Sequence, residues 1–465
     1  MNLIVLKNKK GLLVKTTPFM EAFLKKEKFI PIDIDKKNNK LKSSNKIKQK
    51  IFLLYILLSK LKKITFKKPE KKKFIIFDDV GSYELTKILS KEESFVLISR
   101  TERIDTIYLN FSLIYNMIVS YRKLPLRLAY LAAVINQVNP YTVLTFIHHS
   151  ADFKRISGIF KNKIKFIPIQ NADTSHMPYE LGKNKIDLAS NKECFFSEFF
   201  CFSSFDEEIF KKAKMNVQKY VHVGSLRASL AKKYAEEKKI VFNENNKYDF
   251  CVVGKEVFHT HGGKKNKIFE ENNHDNRSLQ NFYILNTHLS KFCKKYNFKI
   301  CAALKSMAVN NKTQKSSNED VQPYKLDTII KSEKFEYRSQ RYFFDKIYGE
   351  NNIDIIPRVE NTYSTYTAVM NSKFIICTHD TVLREAIIFK KKFLCCSYFE
   401  DTQIEEACSG LQLLTDQSYE AFEKRVLQIE NMSNEEFYKQ VNPSADFRMS
   451  NNNTIDAIHN LGNSL

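Results

Sequence analysis

Short apolar runs alternate with stretches of helical spacing along most of the chain. "FIIFDDV" (74–80), "SFVLISR" (94–100), "YTVLTFI" (141–147), "KFIPIQN" (165–171), "EFFCFSS" (198–204) and "YVHVGS" (220–225) read as strands. A helical region from Tyr108 to about Val138 and helices over 150–160 and 205–214 separate them. A Lys/Glu/Asn-rich joint at about 232–247 interrupts the pattern, which then begins again. Strands are expected at 248–254, 298–306, 353–358, 374–379 and 392–396. The helices between and after them fall at 282–296, 339–349, 365–372, from 381 to near Phe389, and at 417–430. Polar loops fill 255–280 and 307–325. Strands spaced by helices of about 10–15 residues predict βαβ units and a parallel sheet. Two such series predict an α/β protein of two facing Rossmann-like domains, 1–235 and 248–440, with a C-terminal tail at 441–465.

Open parallel sheets bind ligands beyond the carboxyl ends of their strands. That rule points to polar residues ending strands: Asp78 and Asp79, Arg100, His148 and His149, Gln170 and Asn171, Gly224 and Ser225, Lys305, Arg358, and the His379–Thr381 group.

Composition narrows the chemistry. A length of 465 residues suits two to three domains, and 43% hydrophobic residues can fill their cores. Only 11 residues are Gly, and neither GxGxxG nor GxxxxGK[ST] occurs, so a glycine-rich phosphate loop is not expected. The net charge of +23 is uneven: residues 36–73 hold 15 Lys against one acid, Glu70, and carry +14 of it. The nine Cys include no CxxC, and most sit in apolar runs, as expected of reduced thiols in a cytoplasmic protein. The N-terminus has no signal-peptide h-region and reads as a first strand. The longest uncharged apolar run, Ile51–Leu58, is far short of the ~20 residues of a spanning helix. Flanked by lysines, it reads either as a helix lying on an anionic membrane or as a solvated insertion packed on the first domain. Membrane proximity is the favoured reading. Nucleic acid is not expected as a partner, because the segment has almost no Arg and little aromatic interleaving.

The stretch "FIICTHDTVLREAIIF" stops an apolar strand on polar groups and opens a helix. Asp380 or Thr381 would cap that helix, whose free N–H groups would make an anion site. Glu385, about one turn in, could reach a ribose hydroxyl, or capping alone could explain the cluster. His148 and His149 could meet a phosphate or acceptor, or merely end a strand. Gln170 and Asn171 could bind sugar hydroxyls or cap a loop. His259 and His261 lack a Cys or acid at ligand spacing, and no metal is expected.

Several stretches, in order, resemble a family of bacterial surface-carbohydrate biosynthesis proteins related to GT-B glycosyltransferases. The family's strand followed by Ser-Thr-Leu-Gly and a helix with Glu is matched by Thr381 and Glu385, with Asp380 and Leu383 at the Ser and Gly positions. "FIIFDDVGSYEL" (74–85), "ISRTERIDTIYL" (98–109), "IPIQNADT" (167–174), "HVGSLRAS" (222–229), "AALKS" (302–306) and "NTYSTYTAVMNSKFII" (361–376) resemble further family segments. Thr101 and Ala172 stand where the family carries Gly.

The resemblance implies a GT-B-like enzyme that moves a sugar from a nucleotide-activated donor to a lipid-linked or growing surface glycan. It implies a donor site in the second domain at Lys305, Ser306, His379, Asp380, Thr381 and Glu385, with Arg227 reaching across. An acceptor would meet Gln170, Asn171, His148, His149 and Arg100, and the base would come from Asp79, Asp152 or Asp173. No metal or other cofactor is implied. The expected location is cytoplasmic, peripheral on the inner face of the cytoplasmic membrane through 36–73. Alternatives are an alditol-phosphate transferase, a sugar-nucleotide epimerase, or a non-catalytic glycan- or membrane-binding relative.

Overall fold

The computed structural model describes residues 64–78, 81–90, 93–97, 106–172, 191–238, 246–254, 277–304, 340–349, 351–356, 363–378, 380–398, 410–441, 449 and 454–463. The expected N-terminal strand, the apolar run at 51–58, His259 and His261, and the loop at 307–325 lie outside them.

The first lobe runs β1 (Ile64–Thr65), β2 (Phe74–Phe77), α1 (Ser82–Leu89), β3 (Ser94–Leu97), β4 (Ile107–Tyr108), α2 (Phe111–Val119) and α3 (Leu126–Val138). It continues with β5 (Thr142–Thr145), α4 (Ala151–Ile159), β6 (Lys165–Pro168), β7 (Phe199–Cys201), α5 (Ser204–Lys212), β8 (Tyr220–His222) and α6 (Leu226–Glu237). The second lobe runs β9 (Tyr248–Val253), α7 (Arg277–Tyr296), β10 (Ile300–Ala303), α8 (Gln340–Tyr348), β11 (Asp354–Ile356), α9 (Ser364–Met370), β12 (Ser372–Cys377) and α10 (Thr381–Glu385). Then come β13 (Lys392–Cys396), β14 (Leu413–Leu414), α11 (Tyr419–Glu430), α12 (Asn434–Val441) and α13 (Thr454–Asn463).

Both lobes are built on parallel sheets, as the strand–helix alternation predicted. In the first lobe the order is β3-β2-β5-β6, and a parallel bridge from Ile169 to Phe200 continues it into the β7-β8 pair. The second lobe's six strands are ordered β11-β10-β9-β12-β13-β14, all parallel. Counted from β9, this is the 3-2-1-4-5-6 order of a doubly wound sheet, whose strand order reverses between β9 and β12. The strands are apolar along their length because helices cover both faces. In β2, Phe74 and Ile76 face a core with α1 and α6, while Ile75 and Phe77 face one with α3 and α4.

Three sequence expectations are corrected. The helical region from Tyr108 to Val138 starts only at Phe111, since Tyr108 lies in β4, and it is two helices, because Pro125 cannot supply an N–H to a continuing helix and instead precedes α3. The helix expected to run to Phe389 stops at Glu385 after five residues. Beyond it, Ile387 N–H and Ile388 N–H bond the carbonyls three residues back, and Lys390 turns left-handed at φ 52°. In the expected tail, α13 packs on the first lobe: Ile455, Ile458 and Leu461 join its core, and the Thr454 hydroxyl donates to the Val223 carbonyl at 2.5 Å.

Candidate functional site

The carboxyl ends of the two sheets meet through α10. Asp380, three residues after the end of β12, caps the helix by accepting from the Val382 N–H at 3.1 Å. The two residues at the helix end then reach into the first lobe with opposite charges.

Arg384 donates to both carboxylate oxygens of Asp206, at 3.0 and 2.6 Å. Asp206 lies in the first turn of α5, just beyond β7, and both side chains are buried. The Ser203 hydroxyl and the Gln170 amide also donate to Asp206, at 2.9 and 2.7 Å. Phe202 and Phe205 flank the guanidinium at 5.4 and 5.5 Å. A buried ion pair survives desolvation only when its remaining hydrogen-bonding capacity is filled, and Ser203 and Gln170 fill it here.

Glu385 accepts from the Ser225 hydroxyl at 2.5 Å and from the Tyr366 hydroxyl at 3.0 Å to each oxygen. Ser225 follows β8 and caps α6, accepting from the Ala228 N–H at 3.3 Å. Burial pushes the Glu385 carboxyl up to about 7, against the hydroxyls of Ser225 and Tyr366 and the charge of Arg227, while Asp380 adds to the rise. Burial, with Glu385 beside it, also holds the Tyr366 phenol well above its ordinary value. Arg227 lies over the Phe146 ring at 4.9 Å and 3.7 Å from Glu84. Phe146 leaves no room for a Cβ at Gly81, where an ideal one would come within 2.3 Å of the ring and φ is +76°.

The structure thus gathers Gln170, Arg227, Asp380, Thr381 and Glu385 along one seam. Gln170 is not an open amide: its oxygen accepts from the Phe202 N–H at 2.9 Å, and its nitrogen serves Asp206 and the Ala172 carbonyl. Glu385 meets two protein hydroxyls where a ribose was expected. With five residues, α10 aligns few peptide dipoles, so the anion site expected at Thr381 loses most of its dipole contribution. At the end of β12 the Thr378 hydroxyl is buried with no hydrogen-bond partner.

Other expected residues lie away from this cluster. His148 is buried against Phe199 and Phe210, and burial drives its pKa well down, helped by His149 and Lys154. His149 is exposed, and Asn171 is half-buried beside His148. Asp152 pairs with Arg127 at 2.7 Å in the first turn of α4. Asp79, Arg100, Asp173, Lys305, Ser306 and His379 lie outside the described residues.

Sequence reading missed Asp206, Ser203, Arg384 and Tyr366 as members of the seam. Asp206 and Ser203 follow a strand end, so the rule that selected Ser225 could have selected them. Beside the linker, a cavity of about 380 Å³ opens where Tyr234 and Tyr363 meet, lined also by Tyr248, Ile356 and Thr367.

No family model and no curated protein matches the chain. Among solved structures, the MnaA–UDP structure from S. aureus is 13% identical, covering 84% of this chain and 95% of that one at TM-score 0.49. UDP-GlcNAc 2-epimerase from Neisseria meningitidis is 14% identical, covering 86% and 100% at 0.47. The wall teichoic acid polymerase TagF is 12% identical, covering 91% and 98% at 0.45. At these identities no substrate or activity carries over from them. The two-lobed α/β architecture rests on the chain's own sheet order.

Proposed function

We propose that the protein is a transferase that moves a sugar from a nucleotide carrier to a glycan or lipid-linked acceptor, with the seam between the lobes as its cleft. One observation carries this reading. The second sheet reverses its order at β9 and β12, and the Thr378–Glu385 corner beyond that point faces residues that follow the first lobe's strands.

In this reading the second lobe takes the nucleotide. The Thr378 and Thr381 hydroxyls, Lys305, Ser306 and His379 surround its phosphates, and Asp380 shapes the turn. Lys305 and Arg227 balance charge on the departing phosphate, which leaves the reaction no need of a resident metal. A ribose hydroxyl takes the place on Glu385 that Ser225 holds, exchanging one hydroxyl for another as the lobes part. Exposed His149, with Asn171 and Arg100, forms the acceptor side, and the buried Gln170 and His148 support it from behind. Asp79, Asp152 and Asp173 are the candidate bases. Asp152 is already committed to Arg127, which favours the other two.

The test is thermal stability of the purified protein across a panel of nucleotide sugars and nucleotide alditols. One nucleotide class should stabilise it, by about 2.7 kcal/mol at a hundredfold excess over Kd, and Glu385→Gln should abolish the shift. Silence across the panel would leave only a non-catalytic relative of the fold. A shift confined to nucleotide alditols would assign alditol-phosphate transfer. Conversion of a nucleotide sugar to its epimer without acceptor would assign an epimerase.

A further inference from the structure

The helix α2, "FSLIYNMIV", buries one narrow stripe and exposes the rest. Leu113 and Met117, one turn apart, pack into the core beside α3. The opposite stripe of Phe111, Ile114, Tyr115 and Ile118 faces outward, with Phe111 86% and Ile118 64% exposed. Leu126, the first residue of α3, is 77% exposed, and Phe66 is 75% exposed. Phe66 is held near the helix start because β1 pairs with β4, and the Asn110 amide donates to the Lys67 carbonyl at 3.5 Å. These side chains hold most of the large apolar surface exposed among the described residues. Phe111, Ile114, Tyr115 and Ile118 share one helix face, Phe66 stands near its start, and Leu126 follows the short connection after it.

The charged residues directly flanking the two ends of the helix are basic. Exposed Lys67 and Lys68 stand at the N-terminal end of the helix, and exposed Arg122 and Lys123 follow its C-terminal end. No acid occurs from Thr106 to Ala151, and Glu70 is paired with Lys72 at 3.2 Å. A second copy docked by the same face would bring like charges together across a two-fold axis. An anionic bilayer satisfies both halves of the pattern: acyl chains cover the apolar stripe, and headgroups meet the cations at both ends. Among the described residues no helix is long and apolar enough to cross a membrane, so the contact is one of lying on the surface.

We propose that the outer face of α2, flanked by Phe66 and Leu126, docks the protein on an anionic lipid bilayer. This proposal uses none of residues 51–58 and is independent of the chemistry proposed for the seam.

The experiment is co-sedimentation of the full chain with vesicles of phosphatidylcholine alone and of phosphatidylcholine with phosphatidylglycerol. The chain should bind the anionic vesicles and not the neutral ones. Phe111→Ser with Ile118→Ser should weaken that binding about tenfold or more, because two large side chains no longer leave water. Lys123→Glu, which keeps the apolar stripe intact, should weaken it and make the remainder less sensitive to salt. All these positions are exposed, so the melting temperature of each variant should match the parent and exclude misfolding. Equal binding by parent and variants would overturn the proposal, leaving the lysine-rich segment before Ile64 as the anchor. No binding by the parent would overturn it too. So would a parent dimer that the serine variant converts to monomer without any vesicle binding. Nucleotide-induced stabilisation reads the seam separately, so either proposal can fail alone.

Discussion

Glu385 is a carboxylate held where water cannot solvate its charge, and its proton is therefore held more tightly than in the unfolded chain. Its folded value of about 7 lies above the ordinary 4.5. Between those two values the folded protein keeps a proton that the unfolded chain releases. The resulting stabilisation is fully present below about pH 4.5 and is lost as pH rises through about 7, on the order of 3 kcal/mol in all. Glu385→Gln keeps the shape and removes the titration. Denaturant unfolding of parent and variant across that window should show the parent losing stability relative to the variant. A constant difference between them would mean that the carboxyl is solvated. Residue identity was legible here and environment was not. The sequence places a Glu one turn into a helix, but nothing local says that Ser225, 160 positions earlier, and Tyr366 will close over it.

At the scale of elements, periodicity located every described strand of three or more residues, because their apolar runs are long enough to read, and missed the two-residue β1, β4 and β14. "KFLCC" is β13 from end to end. Element ends were less legible where local chemistry competes: Pro125 splits one expected helix, and the turns after Ala386 shorten another. The placement of α13 was not legible at all. Its apolar residues could cover any exposed core, and they cover α1 and α6 of the first lobe. The fully buried Ile458 should therefore support that lobe although it lies at the far end of the chain. Ile458→Ala should cost about 2–4 kcal/mol and lower protection of β2 and α6 amides in hydrogen exchange before those of β9 and β12. Equal loss in both lobes would contradict this packing.

At the scale of the molecule, adjacent residues of α10 tie the lobes together, one through an ion pair and one through hydroxyls. Asp206→Ala leaves the Arg384 guanidinium buried without its counter-charge and should destabilise by about 3–5 kcal/mol. Asp206→Leu combined with Arg384→Met should recover most of that loss, since neither charge then needs hydration. Chemical unfolding of the three proteins checks it. A double variant as unstable as Asp206→Ala would place the cost in packing rather than in the stranded charge.

The sequence by itself determined the alternation of strands and helices, the two α/β series, and the strand-end residues worth inspecting. These are consequences of periodicity and of turn chemistry, which act over a few neighbouring residues. Only the tertiary structure decided which residues meet where the carboxyl ends of the two sheets face one another. It also decided that Gln170 and Glu385 spend their polar groups on partners in the protein, and that α2 turns its apolar stripe outward. Those outcomes depend on contacts between residues far apart in the chain, where burial and charge pairing select among arrangements that the local pattern allows equally.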